Sequence, residues 1–141
     1  LIRSAKRELF IVSFVAYDVP SVVKTIRDAL ERGVEVRMLL ESSEENGGTL
    51  SMDPTAMMKS AIPGMKLYAW KEREGEHSRG KVHAKICVAD SCNAFITSAN
   101  LTGYALEKNM EAGVLIKGGG VPSNLRAHLH ALIEIGMLRL V

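Results

Sequence analysis

Five polar side chains stand at fixed intervals in the middle of the sequence: His83, Lys85, Asp90, Ser98 and Asn100, within the stretch K-V-H-A-K-I-C-V-A-D-S-C-N-A-F-I-T-S-A-N from Lys81 to Asn100. An imidazole offers a nucleophile or a base, an ammonium offers a cation, and a hydroxyl and a carboxamide offer neutral donors. Together they are what a phosphate group needs for attack and for stabilisation of its charge. Successive strand residues point to opposite faces, so Val82, Ala84, Ile86 and Val88 predict one apolar face, with His83, Lys85 and Cys87 on the other. After a tight turn at Asp90-Ser91, a second strand puts Ala94, Ile96, Ser98 and Asn100 on one face. Two neighbouring strands are thus expected to bring polar ends to the rim of an apolar sheet, and that rim is the candidate phosphate pocket.

A rim of this kind needs a sheet behind it, and the rest of the chain supplies one. Leu9 to Tyr17 is a continuous apolar, β-branched run, the pattern of a strand covered on both faces. Leu1 to Glu8 before it reads as the last turns of a helix. Pro20 falls in the first turn of a helix whose apolar stripe is Val22, Ile26, Ala29 and Leu30, and Gly33 stops it. Val34 to Leu40 follows as a strand, which makes a βαβ unit with parallel strands. Asp53 and Pro54 start a short helix through Ile62, Met65 to Trp70 is a third strand, and Lys71 to Gly80 is a charged loop. Beyond Asn100, residues 101–108 fit a short helix or turn and residues 111–117 return as a strand. The triglycine at 118–120 lacks a following Gly-Lys-Ser/Thr, so it reads as a linker. A closing helix over residues 123–135 carries Leu125, Leu129, Leu132 and Ile133 on one face, with His128 and His130 toward solvent. Strands alternating with helices predict an α/β domain: a three-layer α-β-α sandwich around a mixed, largely buried sheet.

Composition bounds the class. The chain has 141 residues, 47% hydrophobic and 24% charged, which suits one globular domain spanning residues 1–141 and excludes disordered and fibrous classes. A net charge of +2 does not by itself announce a nucleic-acid binder. Cys87 and Cys92 suit reduced, half-buried thiols in a cytoplasmic protein. No apolar run reaches the length of a membrane span, and no secretory leader opens the chain. Because the first residue is Leu1 and not Met, the chain reads as a fragment of a longer protein.

The spacing H-x-K-x4-D-x6-T-S-x-N resembles the HKD signature of the phospholipase D superfamily, where the aspartate is followed by six residues and Gly-Ser-x-Asn. Thr97 stands where that family usually has glycine, and a threonine there threatens to crowd backbone that must approach the phosphate. Asn109-x-Glu111 is similar to the family's trailing N-x-E, and the likeness in the order of strands and helices runs from Leu9 to about Lys117. The resemblance implies a phosphodiesterase in which His83 attacks phosphorus and forms a covalent phosphohistidine, or serves as the partner acid. It implies that Lys85 and Asn100 hold the non-bridging oxygens, that Ser98 adds a hydroxyl donor, and that Glu111 takes a proton from the other ring nitrogen and fixes the tautomer. It gives Asp90 a structural place at the turn, and requires neither metal nor other cofactor.

The implied mechanism uses two histidines, one attacking and one protonating the leaving oxygen, yet only one H-x-K occurs. His77, His128 and His130 lie outside any second copy. The expectation is a homodimer joined through the HKD face, as in single-motif nucleases of the superfamily, or a second lobe in a longer parent. The substrate expected on that analogy is nucleic acid, DNA first, with Arg79, Lys81 and Lys108 as substrate-binding cations at the mouth. The alternatives are a phospholipase D or phosphatidyl transferase acting on lipid headgroups, and a non-catalytic nucleic-acid-binding or assembly module. A zinc set built from His77, His83, Cys87 and Cys92 matches no common ligand spacing.

Overall fold

The computed structural model describes residues 1–43, 51, 53–71 and 80–141. The apolar run from Leu9 becomes β1 (Glu8–Ser13), a strand buried at every position. After it come β2 (Ala16–Tyr17), α1 (Pro20–Glu31), β3 (Glu35–Leu40), α2 (Pro54–Ala61) and β4 (Lys66–Trp70). The second half holds β5 (Ile86–Ala89), β6 (Asn93–Thr97), β7 (Leu101–Thr102), α3 (Gly103–Glu107), β8 (Gly113–Lys117), α4 (Gly120–Glu134) and β9 (Leu138–Leu140).

β1 sits at the centre of a seven-stranded sheet of order β8-β6-β5-β1-β3-β4-β9. The βαβ expectation holds: β1, β3 and β4 run parallel, while β5, β6, β8 and β9 pair antiparallel with their neighbours. Alternation along β1 feeds two cores. Leu9 and Ile11 pack with Ile26 and Ala29 of α1 and Met58 of α2 on one face. Phe10 and Val12 pack with Leu129 of α4, flanked by Leu125, Leu132 and Ile133, on the other. Each such side chain contributes about 1.5–3 kcal/mol when fully buried, so strand alternation alone commits the chain to helices on both faces. The three-layer α-β-α sandwich is therefore the observed architecture.

Several boundaries differ from the sequence reading, each for a local reason. The run from Leu9 does not continue as one strand to Tyr17. The Ser13 hydroxyl donates to Val15 O at 2.8 Å and accepts Leu101 N–H at 3.1 Å, and Ala16 and Tyr17 then leave the main sheet to pair with β7. The expected N-terminal helix is only a 3-10 turn, Ile2–Ser4. α4 begins at Gly120, because Gly118 and Gly119 take positive φ of 73° and 72° and turn the chain straight into it. His130 is not a solvent residue. Its Nε2 lies 2.6 Å from Oε1 of Glu8, a buried carboxylate that Arg37 and Arg126 also hold, so α4 is pinned to β1 and β3.

Candidate active site

The hairpin of β5 and β6 carries the five polar residues, and its two ends are built differently. At the turn, Asp90 and Ser91 both adopt positive φ (53° and 62°), and Cys92 N–H closes the turn on Ala89 O at 3.2 Å. The Asp90 carboxylate reaches back to the start of β1. It accepts the backbone N–H of Lys6 at 2.7 Å, of Arg7 at 2.8 Å and of Glu8 at 2.9 Å. Desolvation pushes this carboxyl up, but the three N–H donors and the Arg7 charge outweigh it and hold it below the ordinary aspartate range. Asp90 thus fixes the hairpin against β1, the structural place that the resemblance implied for it.

The open end is where the other four residues gather. β5 starts only at Ile86, because its partner β1 ends one residue past the Val12–Ile86 pair; on the β6 side only the Lys85 carbonyl of the lead-in is still held, by the Thr97 N–H at 3.1 Å. His83 and Lys85 accordingly sit on an extended lead-in and not within the strand that the alternation predicted. Ala84 is exposed there and does not join the apolar face, whereas Val82 and Val88 do. Lys85 Nζ lies 3.2 Å from Nδ1 and 3.4 Å from Nε2 of His83, and donates to the His83 carbonyl at 2.9 Å. Across from them, Ser98 donates its hydroxyl to Glu111, and Asn109 donates to the same carboxylate at 3.1 Å.

A cavity of about 340 Å³ opens between these groups, with Lys85, Asn100, Asn109 and Glu111 among its polar lining and Ile11, Ile86, Phe95 and Leu106 among its apolar lining. Burial pushes the Lys85 ammonium below its ordinary value, and the Glu111 carboxylate pulls it partly back. The Ser98 hydroxyl, then the Asn109 amide and more weakly the Lys85 charge, hold the Glu111 carboxyl down against desolvation. Asn100 Oδ1 is buried without a hydrogen-bond partner among the described residues. A partly desolvated ammonium borders the cavity and an exposed imidazole stands beside it, while the unfilled hydrogen-bonding position on Asn100 is an acceptor that calls for a donor and not for an anion's oxygen.

His83, Lys85, Ser98, Asn100 and Glu111 therefore come to one place. Glu111, however, is engaged by Ser98 and Asn109, and no hydrogen bond joins it to His83 in this chain. Lys81 and Lys108 are exposed, near the H-x-K lead-in and at the end of α3 respectively, while Arg79 and His77 lie outside the described residues. Cys92 bonds within the turn end of the hairpin, a strand's length from His83, and burial pushes the Cys87 thiol up to about 12. Neither arrangement favours the zinc set.

The sequence reading left Gly113, Glu41 and Phe14 unnoticed. Thr97 lines the cavity and is held in the β6–β8 seam: its hydroxyl donates to Ala112 O at 3.1 Å and accepts Ala99 N–H at 3.1 Å. Its cross-strand partner is Gly113, where a Cβ would stand 2.9 Å from Thr97 Cβ and 2.8 Å from Ile96 O, so glycine on β8 makes the room that threonine on β6 takes. Glu41, directly after β3, accepts the Val82 N–H at 2.5 Å, and the Phe14 ring packs on the His83 imidazole with centroids 5.6 Å apart. A glutamate ending the apolar run V-R-M-L-L was the only hint of this in the sequence.

A family model described as "Cardiolipin synthase, PLD-like domain" matches residues 1–133. Among curated proteins, cardiolipin synthase A of Pseudomonas aeruginosa is 26% identical over 133 residues, covering 93% of this chain and 25% of that protein. The chain thus spans about a quarter of the length of that relative. Among solved structures, Nuc from Salmonella typhimurium, a phospholipase D family member, superposes with a TM-score of 0.72 at 22% identity, covering 99% of this chain and 85% of that one. NucT from Helicobacter pylori gives a TM-score of 0.79 at 16% identity, with 99% and 86% covered. At such identities these structures bear on the fold.

Proposed function

The chain belongs to the phospholipase D-like family, whose model spans 133 of its 141 residues, and on that premise we propose that it is one half of a phosphodiester hydrolase acting on nucleic acid. One ring nitrogen of His83 attacks phosphorus while the Lys85 ammonium and the Asn100 amide N–H hold the non-bridging oxygens and Ser98 offers a hydroxyl to them. The P–O bond to the leaving oxygen breaks, and that oxygen takes a proton from a second imidazolium. Water then attacks the phosphohistidine, gives its proton to the second imidazole, and the P–N bond breaks. The second imidazole is His83 of another copy in a homodimer, or its counterpart in a further lobe of the parent. Glu111 has acceptor positions beyond the Ser98 and Asn109 bonds, and fixes the ring's tautomer by accepting from the nitrogen that does not attack.

The observation that carries this reading is the cavity lined by Lys85, Asn100 and Glu111, with His83 beside Lys85 and Ser98 bonded to Glu111, on the fold of a phosphodiester-acting family. Nucleic acid is preferred because Nuc and NucT match this chain over most of their own length, as single lobes. The test is DNA cleavage by the full-length protein in EDTA, expected to persist in the wild type and to vanish in His83→Ala. A strict magnesium requirement would contradict the mechanism.

A second reading, a phospholipase D or phosphatidyl transferase acting on lipid phosphodiesters, is favoured by the apolar lining of the cavity and by the cardiolipin synthase relatives. Turnover of phosphatidylglycerol vesicles without turnover of DNA would select it.

A further inference from the structure

The His83 peptide lies outside the sheet, so something other than the strand ladder must fix it. The geometry points to Glu41 as the positioning residue that holds the nucleophile, an inference that rests on the hydrolase reading of the site. Glu41 is 2% exposed and directly follows β3, on the far side of β1 from the hairpin. One carboxylate oxygen accepts the Val82 N–H at 2.5 Å and the other accepts Ser42 N–H at 3.2 Å. The Glu41 N–H donates to Phe14 O at 3.2 Å, and the Phe14 ring packs on the His83 imidazole. Glu41 therefore ties together the peptide before His83 and the residue against the ring of His83. Val82 itself is buried, and Lys85 holds the His83 carbonyl from the other side. The backbone of the nucleophile is clamped between Glu41 and Lys85, and a phosphate that recruits the Lys85 side chain leaves Glu41 as the polar anchor before His83, with the Thr97 N–H on the Lys85 carbonyl after it.

A carboxylate so placed touches neither substrate nor the reacting atoms, and acts by keeping the imidazole on the line of attack, where a misplacement of about 1 Å costs about 100-fold in rate. The test compares Glu41→Ala and Glu41→Gln with wild type in the full-length protein, using bis(p-nitrophenyl) phosphate as probe. Hydrogen exchange of residues 81–85 is followed separately from that of Ile86–Ala89. Glu41→Ala should lower kcat about 10- to 100-fold with KM within about threefold, and Glu41→Gln, keeping one acceptor oxygen, should recover part of that loss. Exchange should rise over 81–85 and stay unchanged in β5. Wild-type kcat in Glu41→Ala, or an equal rise of exchange through the whole sheet, would overturn the inference. Should Glu41→Ala not fold, wild-type kcat and exchange in Glu41→Gln would overturn it. Should the wild type itself fail to cleave the probe, the hydrolase reading fails first, and the exchange contrast still decides whether Glu41 holds the segment.

Discussion

The two ends of the β5–β6 hairpin use the same kind of residue for opposite purposes. At the turn, Asp90 has all its bonds made by fixed backbone donors at the start of β1. At the open end, Lys85 bonds back to His83, and Asn100 Oδ1 has no partner among the described residues. A polar group satisfied by backbone contributes stability. One left half-satisfied at a cavity keeps its capacity for a ligand, at some cost to the fold. The five residues read as one string, yet they divide into a residue that fixes the hairpin by backbone donors and residues bonded to one another beside a cavity.

The largest effect should come from the open end. His83→Ala should lower phosphodiester cleavage by at least about 1,000-fold while the melting temperature stays near wild type, since the imidazole is exposed. A large drop in stability would erase the division between the ends. Next, Asp90→Ala should destabilise by about 2–3 kcal/mol in denaturant titration, with the folded fraction still active at low temperature. The acid dependence sharpens this. The Asp90 carboxyl is lower in the folded chain than in the unfolded one, so its contribution is complete above the ordinary aspartate range and is lost as pH falls through the lowered folded value. Asp90→Asn should flatten that part of the stability curve.

Gly113→Ala tests the seam between β6 and β8. Its Cβ would meet Ile96 O at 2.8 Å, and a cost of about 1–3 kcal/mol is expected, relieved in part by Thr97→Gly, as a double-mutant cycle would register. The smallest effect is a shift in pH profile. Glu111 raises the Lys85 value against desolvation, so Glu111→Gln should lower it and move the alkaline limb of the rate profile to lower pH. An unmoved limb would mean that Lys85 does not titrate in the rate-determining step.

Much of this division was legible in the sequence. Alternation through Val82 and Val88 and the Asp90-Ser91 turn placed the hairpin, and the spacing of His83, Lys85, Ser98 and Asn100 put those residues at its open end. What alternation could not tell was where the ladder stops. That depends on the length of β1, which ends at Ser13 because a hydroxyl 88 residues from Leu101 takes its N–H. The tie from Glu41 to Val82, 41 residues apart, was hidden for the same reason. The short β9 carries too few residues for a pattern and exists only because β4 offers an edge. Local periodicity reports local structure, while contacts closed over long stretches of chain are set by the packed sheet.

The central claim is that His83 carries the phosphoryl group during turnover. The direct measurement is mass spectrometry of the peptide containing His83 after the full-length protein is mixed with excess phosphodiester substrate and quenched in alkaline denaturant, where a phosphorus–nitrogen bond survives. A substrate-derived phosphoryl adduct on His83, absent from Lys85-only fragments and from His83→Ala, is the expected result. Turnover by the wild type with no adduct on His83, or with an adduct on another residue, would contradict it.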